Sequence, residues 1–240
     1  DKQSLLLEKI KSQNGEWQSN LIRLGFSYQQ INSLISKGIL KKIKRQKSIN
    51  ISLDFQQSNS PKRKIPILTD QQKKVIRGIE DMKNGETALL WGETGSGKTE
   101  VYLRIVESQL TLNKSCLILA PEIGLIPQLI DRFADKFKKN IFEYHSNCSP
   151  KYRQLIWREI LNASEPIIVI GTRSSIFLPI KNLGIIILDE EHDNSYKQEN
   201  PMPCYDAREV AIDRAKIDKT KIVFGTATPS LSIWKKAYFE

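Results

Sequence analysis

The fold of this chain can be predicted from one stretch, Trp91-Gly92-Glu93-Thr94-Gly95-Ser96-Gly97-Lys98-Thr99-Glu100, which contains the phosphate-binding pattern G-x-x-x-x-G-K-[ST] without a gap. The residues that lead up to Trp91 predict a short buried strand, and apolar side chains recur at helical spacing after Glu100. Glycines let backbone N–H groups close around a polyphosphate, and the start of the following helix adds a favourable dipole. We therefore predict that Gly92 to Glu100 bind a nucleotide, with Lys98 at its β- and γ-phosphates and the Thr99 hydroxyl on Mg²⁺. The alternative is a Gly-rich turn that binds no ligand.

The composition is that of a soluble globular protein. Of 240 residues, 40% are hydrophobic and 27% are charged. No apolar run approaches the length of a membrane span, and no signal-peptide pattern opens the chain. The three cysteines, Cys116, Cys148 and Cys204, form no C-x-x-C pair, which argues against a zinc site or a disulfide framework. We therefore expect a reducing, cytoplasmic setting, and the lack of an apolar span predicts no membrane contact. Because the last residues show no stop signal, we expect the chain to be part of a longer protein.

The positive charge is concentrated at the N-terminus. Residues 1–64 contain 13 Lys or Arg and 4 Asp or Glu, so they carry +9 of the formal net charge of +10. A basic segment attached to a nucleotide-binding body suggests a partner with a phosphate backbone. A solvated basic face or linker is the alternative that charge alone leaves open.

Residues 1–54 predict a winged-helix DNA-binding domain. Two short amphipathic helices precede a third, which follows Ser27, and Ser27 stands three residues before Gln30 in a capping-box arrangement. Residues 39–53 can form a hairpin wing whose lysines and arginine suit phosphate contact better than base reading. Packing on a neighbouring domain or protein is the alternative for this domain.

A polar, Pro-bounded linker at residues 55–66 separates this domain from a predicted nucleotide-binding lobe at residues 67–240. In the lobe, runs of Ile, Val and Leu alternate with helical patterns, which indicates a parallel sheet covered on both faces by helices. We therefore predict an α/β fold of the RecA-like P-loop kind. Ligands of such sheets bind at the carboxyl ends of the strands, and the motifs of this chain all fall at those ends.

An acidic motif, Asp189-Glu190-Glu191-His192, directly follows the apolar run Ile185-Ile186-Ile187-Leu188. A carboxylate at this strand end can hold the Mg²⁺ that Thr99 also binds, and we assign this role to Asp189. Glu190 is the candidate that orients or deprotonates the water attacking the γ-phosphate. The alternative is a solvated acidic loop, which is a weaker interpretation in a chain that also has the phosphate loop.

Four motifs follow one another in the lobe: Pro121-Glu122-Ile123-Gly124-Leu125-Ile126-Pro127-Gln128, Gly171-Thr172-Arg173-Ser174-Ser175, the acidic motif, and Gly225-Thr226-Ala227-Thr228-Pro229-Ser230. Together they resemble the successive motifs of superfamily 2 DNA helicases. The segment Ser195-Tyr196-Lys197-Gln198 is similar to one found in the primosomal replication-restart helicases of that superfamily. The resemblance extends from about Leu68 to the end of the chain and is looser before it.

The resemblance implies roles for further residues. Gln72, which stands 20 residues before Gly92, would recognise adenine, although an exposed glutamine at a helix start is the alternative. His192, Thr226 and Thr228 would couple the nucleotide site to the DNA. The segment 121–128 would touch the backbone of single-stranded DNA, as would Thr172 and Arg173. Tyr196 would be a base-stacking candidate, and Lys197 would also contact DNA. The loop that contains Tyr196 departs from the family pattern at Cys204 and Asp206, where arginine and histidine are common.

The resemblance also implies an overall activity. It is that of an ATP-dependent 3′ to 5′ DNA helicase, with ATP and Mg²⁺, acting in replication restart and primosome assembly at branched or stalled forks. The implied partners are branched and single-stranded DNA, single-stranded DNA-binding protein and primosome proteins. The second RecA-like lobe with its arginine finger, the zinc-binding cysteines and the 3′-end-binding domain of such helicases are not in these residues, so we expect slow hydrolysis. The alternatives are a non-catalytic DNA- and partner-binding fragment and another superfamily 2 DNA translocase.

Overall fold

The structure of the chain is a computed structural model. It describes Leu6, Leu7, Ile10, Leu21, Ile22 and residues 24–41, 66–137 and 141–239. The chain divides into two compact units, residues 1–48 and residues 49–240, and each is described by itself. The predicted linker at residues 55–66 lies outside the described residues, except for its last residue.

In the first unit, helix α1 (Tyr28–Ser36) begins directly after Ser27. The Ser27 hydroxyl accepts a hydrogen bond from the Gln30 N–H, and the Gln30 side chain accepts one from the Ser27 N–H, which confirms the predicted capping box. A small apolar core contains Leu6, Leu21, Ile31 and Leu34. Most of the predicted wing lies outside the described residues, so the winged helix stays a prediction.

In the second unit, strands and helices alternate along the chain. The strands are β1 (Thr87–Trp91), β2 (Ser115–Leu119), β3 (Ile141–Tyr144), β4 (Ile168–Gly171), β5 (Leu183–Leu188), β6 (Lys197–Gln198), β7 (Tyr205–Asp206) and β8 (Lys221–Thr226). The α-helices are α2 (Asp70–Asp81), α3 (Lys98–Thr111), α4 (Ile126–Lys136), α5 (Pro150–Asn162), α6 (Ala207–Asp218) and α7 (Leu231–Phe239). Short 3₁₀ turns lie at Ile123–Leu125, Arg173–Phe177 and Asn194–Tyr196.

Six strands form one parallel sheet in the order β1-β8-β5-β2-β4-β3. Because these strands point the same way, the loops that follow them meet along the carboxyl edge of the sheet. This sheet, with helices on both of its faces, confirms the predicted α/β fold of the RecA-like kind. Strands β6 and β7 form a separate antiparallel ribbon, which the sequence analysis did not predict.

The central strands face two apolar cores. In β5, Ile185 and Ile187 belong to the core that contains side chains of α2, α3 and α4, whereas Ile186 and Leu188 belong to the core with side chains of α5, α6 and α7. Both faces of β5 are therefore buried, which explains why its sequence is a continuous apolar run. Among the described residues, no helix has the length and apolarity needed to cross a bilayer.

Candidate functional site

The phosphate loop joins β1 to α3. Gly97 stands at the N-terminus of α3 with φ of +85°, a left-handed conformation that L side chains rarely adopt. A Cβ on Gly97 would lie 2.5 Å from Gln72 Nε2, so a side chain at this position would displace the Gln72 amide group. The buried Lys98 ammonium group donates a hydrogen bond of 2.9 Å to the Gly92 carbonyl oxygen. The loop therefore closes around the Lys98 ammonium group.

Backbone donors in this loop are available to a ligand. The amides of Gly95, Gly97, Lys98 and Thr99 donate to no other group within the described ranges. The Lys98 and Thr99 amides open the first turn of α3, where backbone N–H groups have no partner inside the helix. Unpaired N–H groups, a helix dipole and a lysine in one loop fit the phosphates of a nucleotide.

The acidic motif stands at the carboxyl end of β5, between the ends of two neighbouring strands. The Asp189 N–H donates to the Leu119 carbonyl oxygen at the end of β2, at 2.9 Å. On the other side, the Glu191 N–H donates to the Gly225 carbonyl oxygen in β8, at 3.0 Å. The backbone on both sides of Glu190 is therefore fixed by the sheet.

Glu190 lies between these two anchors in an unusual conformation. Its φ of +46° is strained for a residue that has a Cβ, and such strain is concentrated at functional sites. The Glu190 carboxylate oxygen Oε1 lies 3.5 Å from Lys98 Nζ. The structure therefore brings together three residues to which the sequence analysis gave catalytic roles, namely Lys98, Asp189 and Glu190.

Tyr102 belongs to the site, although the sequence analysis gave it no role. Its ring is completely buried, and its hydroxyl donates a hydrogen bond of 2.8 Å to Asp189 Oδ1. Gly225 makes room for it, since a Cβ on Gly225 would overlap the Tyr102 hydroxyl oxygen. In the sequence, the i, i+4 spacing of Lys98 and Tyr102 indicates that both residues lie on one face of α3, and this pattern could have identified Tyr102 as a neighbour of the site.

Burial and charge set the protonation of this pair. Burial raises the pKa of the Asp189 carboxyl above its ordinary value, and the Glu190 charge raises it further, whereas the Tyr102 hydrogen bond and the Lys98 charge lower it. Burial, followed by the charge of Asp189, raises the pKa of Tyr102 well above its ordinary value. Tyr102 is therefore a protonated phenol, and it donates to the carboxylate.

Thr99 and Asp189 are the residues that would hold Mg²⁺. Both offer oxygen atoms, which Mg²⁺ prefers, and the Thr99 hydroxyl makes no hydrogen bond in the described part of the chain. No group of three or more His, Cys, Asp or Glu side chains is placed to hold a metal among the described residues. This donor set fits Mg²⁺, because Mg²⁺ is usually held by one or two protein oxygens together with phosphate and water oxygens.

Glu191 ties the acidic motif to the segment after β8. The residue is fully buried, and its two carboxylate oxygens accept hydrogen bonds from the Ser230 N–H at 2.7 Å and the Ser230 hydroxyl at 3.0 Å. Arg208 Nη1 donates to the Glu191 carbonyl oxygen at 2.8 Å. Because a buried carboxylate has to be paired, Ser230 is a positioning residue for the motif. Ser230 belongs to the last of the four sequence motifs, but its contact with Glu191 is not predictable from that motif.

The three residues that the resemblance assigned to coupling are hydrogen-bonded to one another. His192 Nδ1 lies 2.8 Å from Thr226 Oγ1, and the Thr228 N–H donates to the same Oγ1 at 3.2 Å. His192 Nδ1 also lies 3.7 Å from Glu190 Oε2. A chain of polar contacts thus runs from Glu190 to the segment after β8. Their role in coupling stays a prediction.

Gln72 contacts the phosphate loop. Its Oε1 accepts a hydrogen bond of 3.0 Å from the Thr69 N–H, and its Nε2 donates one of 3.0 Å to the Ser96 carbonyl oxygen. Gln72 therefore completes the capping box of α2 and fastens this helix to the loop. One amide N–H and one lone pair remain for the edge of an adenine ring, and adenine recognition stays a prediction.

The remaining predicted loop residues differ in their surroundings. The side chains of Glu93 and Thr94 are exposed, at the outer side of the loop. Glu100 is buried within α3, and its carboxylate accepts a hydrogen bond of 3.1 Å from Arg104 Nε. The Glu100 carboxylate is therefore already paired by a cation one turn further along the helix.

Thr172 and Arg173 follow β4 and hold neighbouring segments together. The Thr172 N–H donates to the Tyr144 carbonyl oxygen at 3.2 Å. Arg173 Nη1 donates to the carbonyl oxygens of Ser195 at 2.9 Å and Lys197 at 3.3 Å. Arg173 therefore fastens the segment after the acidic motif to the loop after β4. DNA contact by Thr172 and Arg173 stays a prediction.

The prediction that Tyr196 stacks on DNA bases is wrong for this structure. The Tyr196 ring is fully buried, and its hydroxyl lies 2.6 Å from the Asp189 carbonyl oxygen and 2.9 Å from the Leu119 carbonyl oxygen. A ring enclosed by the core has no face open to a base. Tyr196 instead supports the acidic motif through the hydrogen bond of its hydroxyl to the Asp189 carbonyl oxygen. The next residue, Lys197, is exposed and forms an ion pair of 3.0 Å with Glu199, and its contact with DNA stays a prediction.

Asp206 has a structural role in this chain. Its carboxylate accepts a hydrogen bond of 2.9 Å from the Arg208 N–H and caps the N-terminus of α6. The same carboxylate forms an ion pair of 2.6 Å with the Arg208 guanidinium. Although burial acts to raise the pKa of Asp206, these bonds to Arg208 hold it below its ordinary value. The departure from the family pattern is thus accommodated by Arg208.

Comparison with known proteins agrees with this architecture. The sequence family described as DEAD/DEAH box helicase matches residues 69–236. The chain is similar to replication restart protein PriA of Synechocystis sp., with 44% identity over 234 residues that make up 97% of this chain and 28% of that protein. It is also similar to replication restart protein PriA of Bacillus subtilis, with 42% identity over 211 residues, 86% of this chain and 26% of that protein. The chain therefore spans about a quarter of the length of these relatives.

The fold also resembles that of a solved structure. RecG bound to a three-way DNA junction superposes with a TM-score of 0.53 and 23% sequence identity, over 72% of this chain and 23% of that chain. At this identity the likeness concerns the fold alone. The likeness therefore supports the α/β fold of this chain.

Proposed function

Because the chain belongs to the DEAD/DEAH box helicase family, we propose that it forms the winged-helix domain and the first, nucleotide-binding lobe of an ATP-dependent 3′ to 5′ DNA helicase. Its similarity to replication restart proteins PriA supports a role in replication restart and primosome assembly at branched or stalled forks. The proposed partners are branched and single-stranded DNA, single-stranded DNA-binding protein and primosome proteins, in the cytoplasm.

The proposal depends most on the contact between the phosphate loop and the acidic motif. Lys98 Nζ lies 3.5 Å from Glu190 Oε1, and Tyr102 holds Asp189 beside them. In a turn that binds no ligand, nothing would require a buried lysine to face a carboxylate on a residue with a strained backbone conformation. This geometry favours a motor lobe over the alternative, a non-catalytic DNA- and partner-binding fragment.

Each group has a role in the proposed hydrolysis. The loop amides and the Lys98 ammonium group bind and orient the β- and γ-phosphates. Glu190 orients the attacking water and accepts its proton. Thr99 and Asp189 would hold Mg²⁺, which would supply positive charge to neutralise the phosphate oxygens. The hydrogen-bonded pair of His192 and Thr226 links Glu190 to the segment after β8.

Hydrolysis by this chain alone should be slow. An arginine finger from a second lobe contributes roughly 10³- to 10⁵-fold to the rate in related phosphoryl-transfer enzymes, and these residues do not include that lobe. We therefore expect the isolated chain to bind Mg-ATP and to release phosphate near the background rate.

The test is binding of a fluorescent ATP analogue with Mg²⁺, followed by phosphate release with and without forked DNA. Lys98→Ala should weaken binding by roughly 10- to 100-fold, because a charge-assisted hydrogen bond to phosphate is lost. Lys74→Ala, which removes an exposed lysine of α2, is the matched control and should bind like the unsubstituted chain. Equal binding by the Lys98→Ala variant would contradict the proposed site.

A further inference from the structure

A pocket of about 400 Å³ lies outside the nucleotide site, beside β3, at the opposite edge of the sheet from β1. It is formed by the end of β3 and the first turns of α5, and it is lined by Tyr144, Pro150, Arg153, Gln154, Trp157 and Arg158. A pocket of this size can hold a ligand of nucleotide dimensions. None of its lining side chains has a role in the nucleotide site.

Two cations of this pocket have no partner in the described part of the chain. Arg153 and Arg158 form no ion pair or side-chain hydrogen bond there, and Arg153 Nε is fully buried without an acceptor. A buried donor without an acceptor is unfavourable, and the Arg153 guanidinium group lines the pocket without an ion-pair partner in the described part of the chain. The planar guanidinium group matches the oxygens of a phosphate in bidentate geometry.

An aromatic surface stands beside these cations. Trp157 lies one turn after Arg153 on α5, and 39% of its surface is exposed. An indole ring in such a position can stack on any base, because every base has a π-face. Two arginines that bind phosphate and a tryptophan that stacks on a base are together suited to a nucleotide within a nucleic acid strand.

The pocket is joined to the loop after β4. The Tyr144 carbonyl oxygen accepts hydrogen bonds from the Thr172 N–H at 3.2 Å and from the Ser175 hydroxyl at 2.8 Å. Tyr144 thus borders both the pocket and the segment for which a DNA contact was predicted. A strand of DNA that follows the carboxyl edge of the sheet past Thr172 would reach the pocket next.

We propose that this pocket binds one nucleotide of single-stranded DNA, with its phosphate on Arg153 and Arg158 and its base on Trp157. The proposal rests on the proposed DNA helicase function and adds a subsite to its DNA path. An acidic segment of a partner protein is the competing occupant, since it would also be attracted to the two arginines, but it gives no reason for the exposed indole.

The experiment measures binding of dye-labelled oligo-dT by fluorescence anisotropy at salt concentrations from about 50 to 200 mM. Arg158→Ala should reduce the slope of log K against log salt by about 0.7, the value for one phosphate contact on a single strand. Arg158→Lys should retain the slope, because it keeps the charge. Arg77→Ala removes an exposed, unpaired arginine of α2 and should change neither the affinity nor the slope.

The stacking contact is tested by a second pair of variants. Trp157→Ala should weaken oligo-dT binding by roughly 5- to 100-fold, whereas Trp157→Phe should keep most of the affinity. The side chains of Trp157 and Arg158 are both at least partly exposed, so their replacement should leave the fold intact. ATP-analogue binding measured in parallel reports whether each variant is folded.

The outcomes separate this proposal from the proposed function. If the unsubstituted chain binds ATP and oligo-dT while all pocket variants keep its affinity and slope, the pocket proposal is wrong and the helicase assignment stands. If the unsubstituted chain does not bind oligo-dT, both are contradicted. If the Arg158→Ala variant loses binding of a polyglutamate peptide but not of oligo-dT, the pocket is a protein-docking site and the nucleotide proposal is overturned.

Discussion

The Tyr102 hydroxyl donates a hydrogen bond of 2.8 Å to Asp189 Oδ1, and this bond connects the helix after the phosphate loop to the carboxylate after β5. The two residues are 87 positions apart in the chain. They meet because β5 ends and α3 begins at the carboxyl edge of the sheet. A buried phenol that fixes one carboxylate oxygen restricts the orientation of the carboxylate.

Tyr102→Phe should weaken Mg²⁺-dependent nucleotide binding by about 10- to 100-fold, the usual effect of removing a partner that orients a metal ligand. The variant should also lose this binding at a higher pH when the solution is acidified. Burial raises the pKa of Asp189, and the Tyr102 hydrogen bond acts against this rise, so the pKa is higher still without that bond. A protonated carboxyl does not bind Mg²⁺. The measurement is a Mg²⁺ titration of ATP-analogue binding at several pH values.

Tyr152→Phe is the control for this variant, because the Tyr152 hydroxyl makes no hydrogen bond in the described part of the chain. It should match the unsubstituted chain in Mg²⁺ dependence. Identical Mg²⁺ titrations for the Tyr102→Phe variant and the control would show that the hydrogen bond does not position Asp189.

Asp189→Asn should raise the thermal stability of the chain while abolishing Mg²⁺-dependent binding. Burial raises the pKa of the Asp189 carboxyl. At pH values between the ordinary carboxyl pKa and the raised one, the unfolded state therefore has fewer protons bound than the folded state, and the folded state loses stability as pH rises. The charged aspartate therefore costs folding stability above that range, and the cost disappears below it. At neutral pH we expect a gain of about 1 kcal/mol, or about 2–4 °C in Tm.

Thermal melts of the Asp189→Asn variant and the unsubstituted chain across a pH series test this expectation. The difference in Tm should shrink as the pH falls toward the ordinary carboxyl pKa. A variant that is less stable than the unsubstituted chain at neutral pH would mean that the Tyr102 and Lys98 contacts outweigh the burial of the charge.

Gly225→Ala should destabilise the chain by about 1–3 kcal/mol, because the added Cβ overlaps the Tyr102 hydroxyl in a packed core. Gly78→Ala is the matched control. Gly78 lies inside α2 with no atom within 4 Å of a Cβ, so alanine should stabilise the chain by about 0.4–1 kcal/mol. Chemical denaturation measures the change in the free energy of unfolding for both variants. An unchanged free energy of unfolding for Gly225→Ala would show that Tyr102 can move without cost.

Tyr196→Phe should destabilise the chain by about 1–3 kcal/mol, because a buried hydroxyl that lies between two backbone carbonyl oxygens is removed. Tyr28→Phe, at a residue that is 60% exposed, should change the free energy of unfolding by less than about 0.5 kcal/mol. Denaturant titrations compare the two variants. Equal stability would mean that the Tyr196 hydroxyl does not support the acidic motif.

Much of the fold follows from local sequence patterns. The apolar run at Leu183–Leu188 is buried on both faces as predicted, since only a central parallel strand needs apolar side chains on both sides. The β6–β7 ribbon was not foreseen, because each of its strands has only two residues, too few to show a period.

The sequence alone is enough to assign the phosphate loop and the acidic motif to one site, because consecutive spacing and the direction of parallel strands are both local properties. Only the tertiary structure shows that Tyr102 reaches Asp189, that Ser230 pairs with Glu191, and that Tyr196 is enclosed by the core. These contacts join residues far apart in the chain, and a side chain has the same identity in the sequence whether it is buried or exposed. Burial and partners are therefore known only once the sheet has brought the strand ends together.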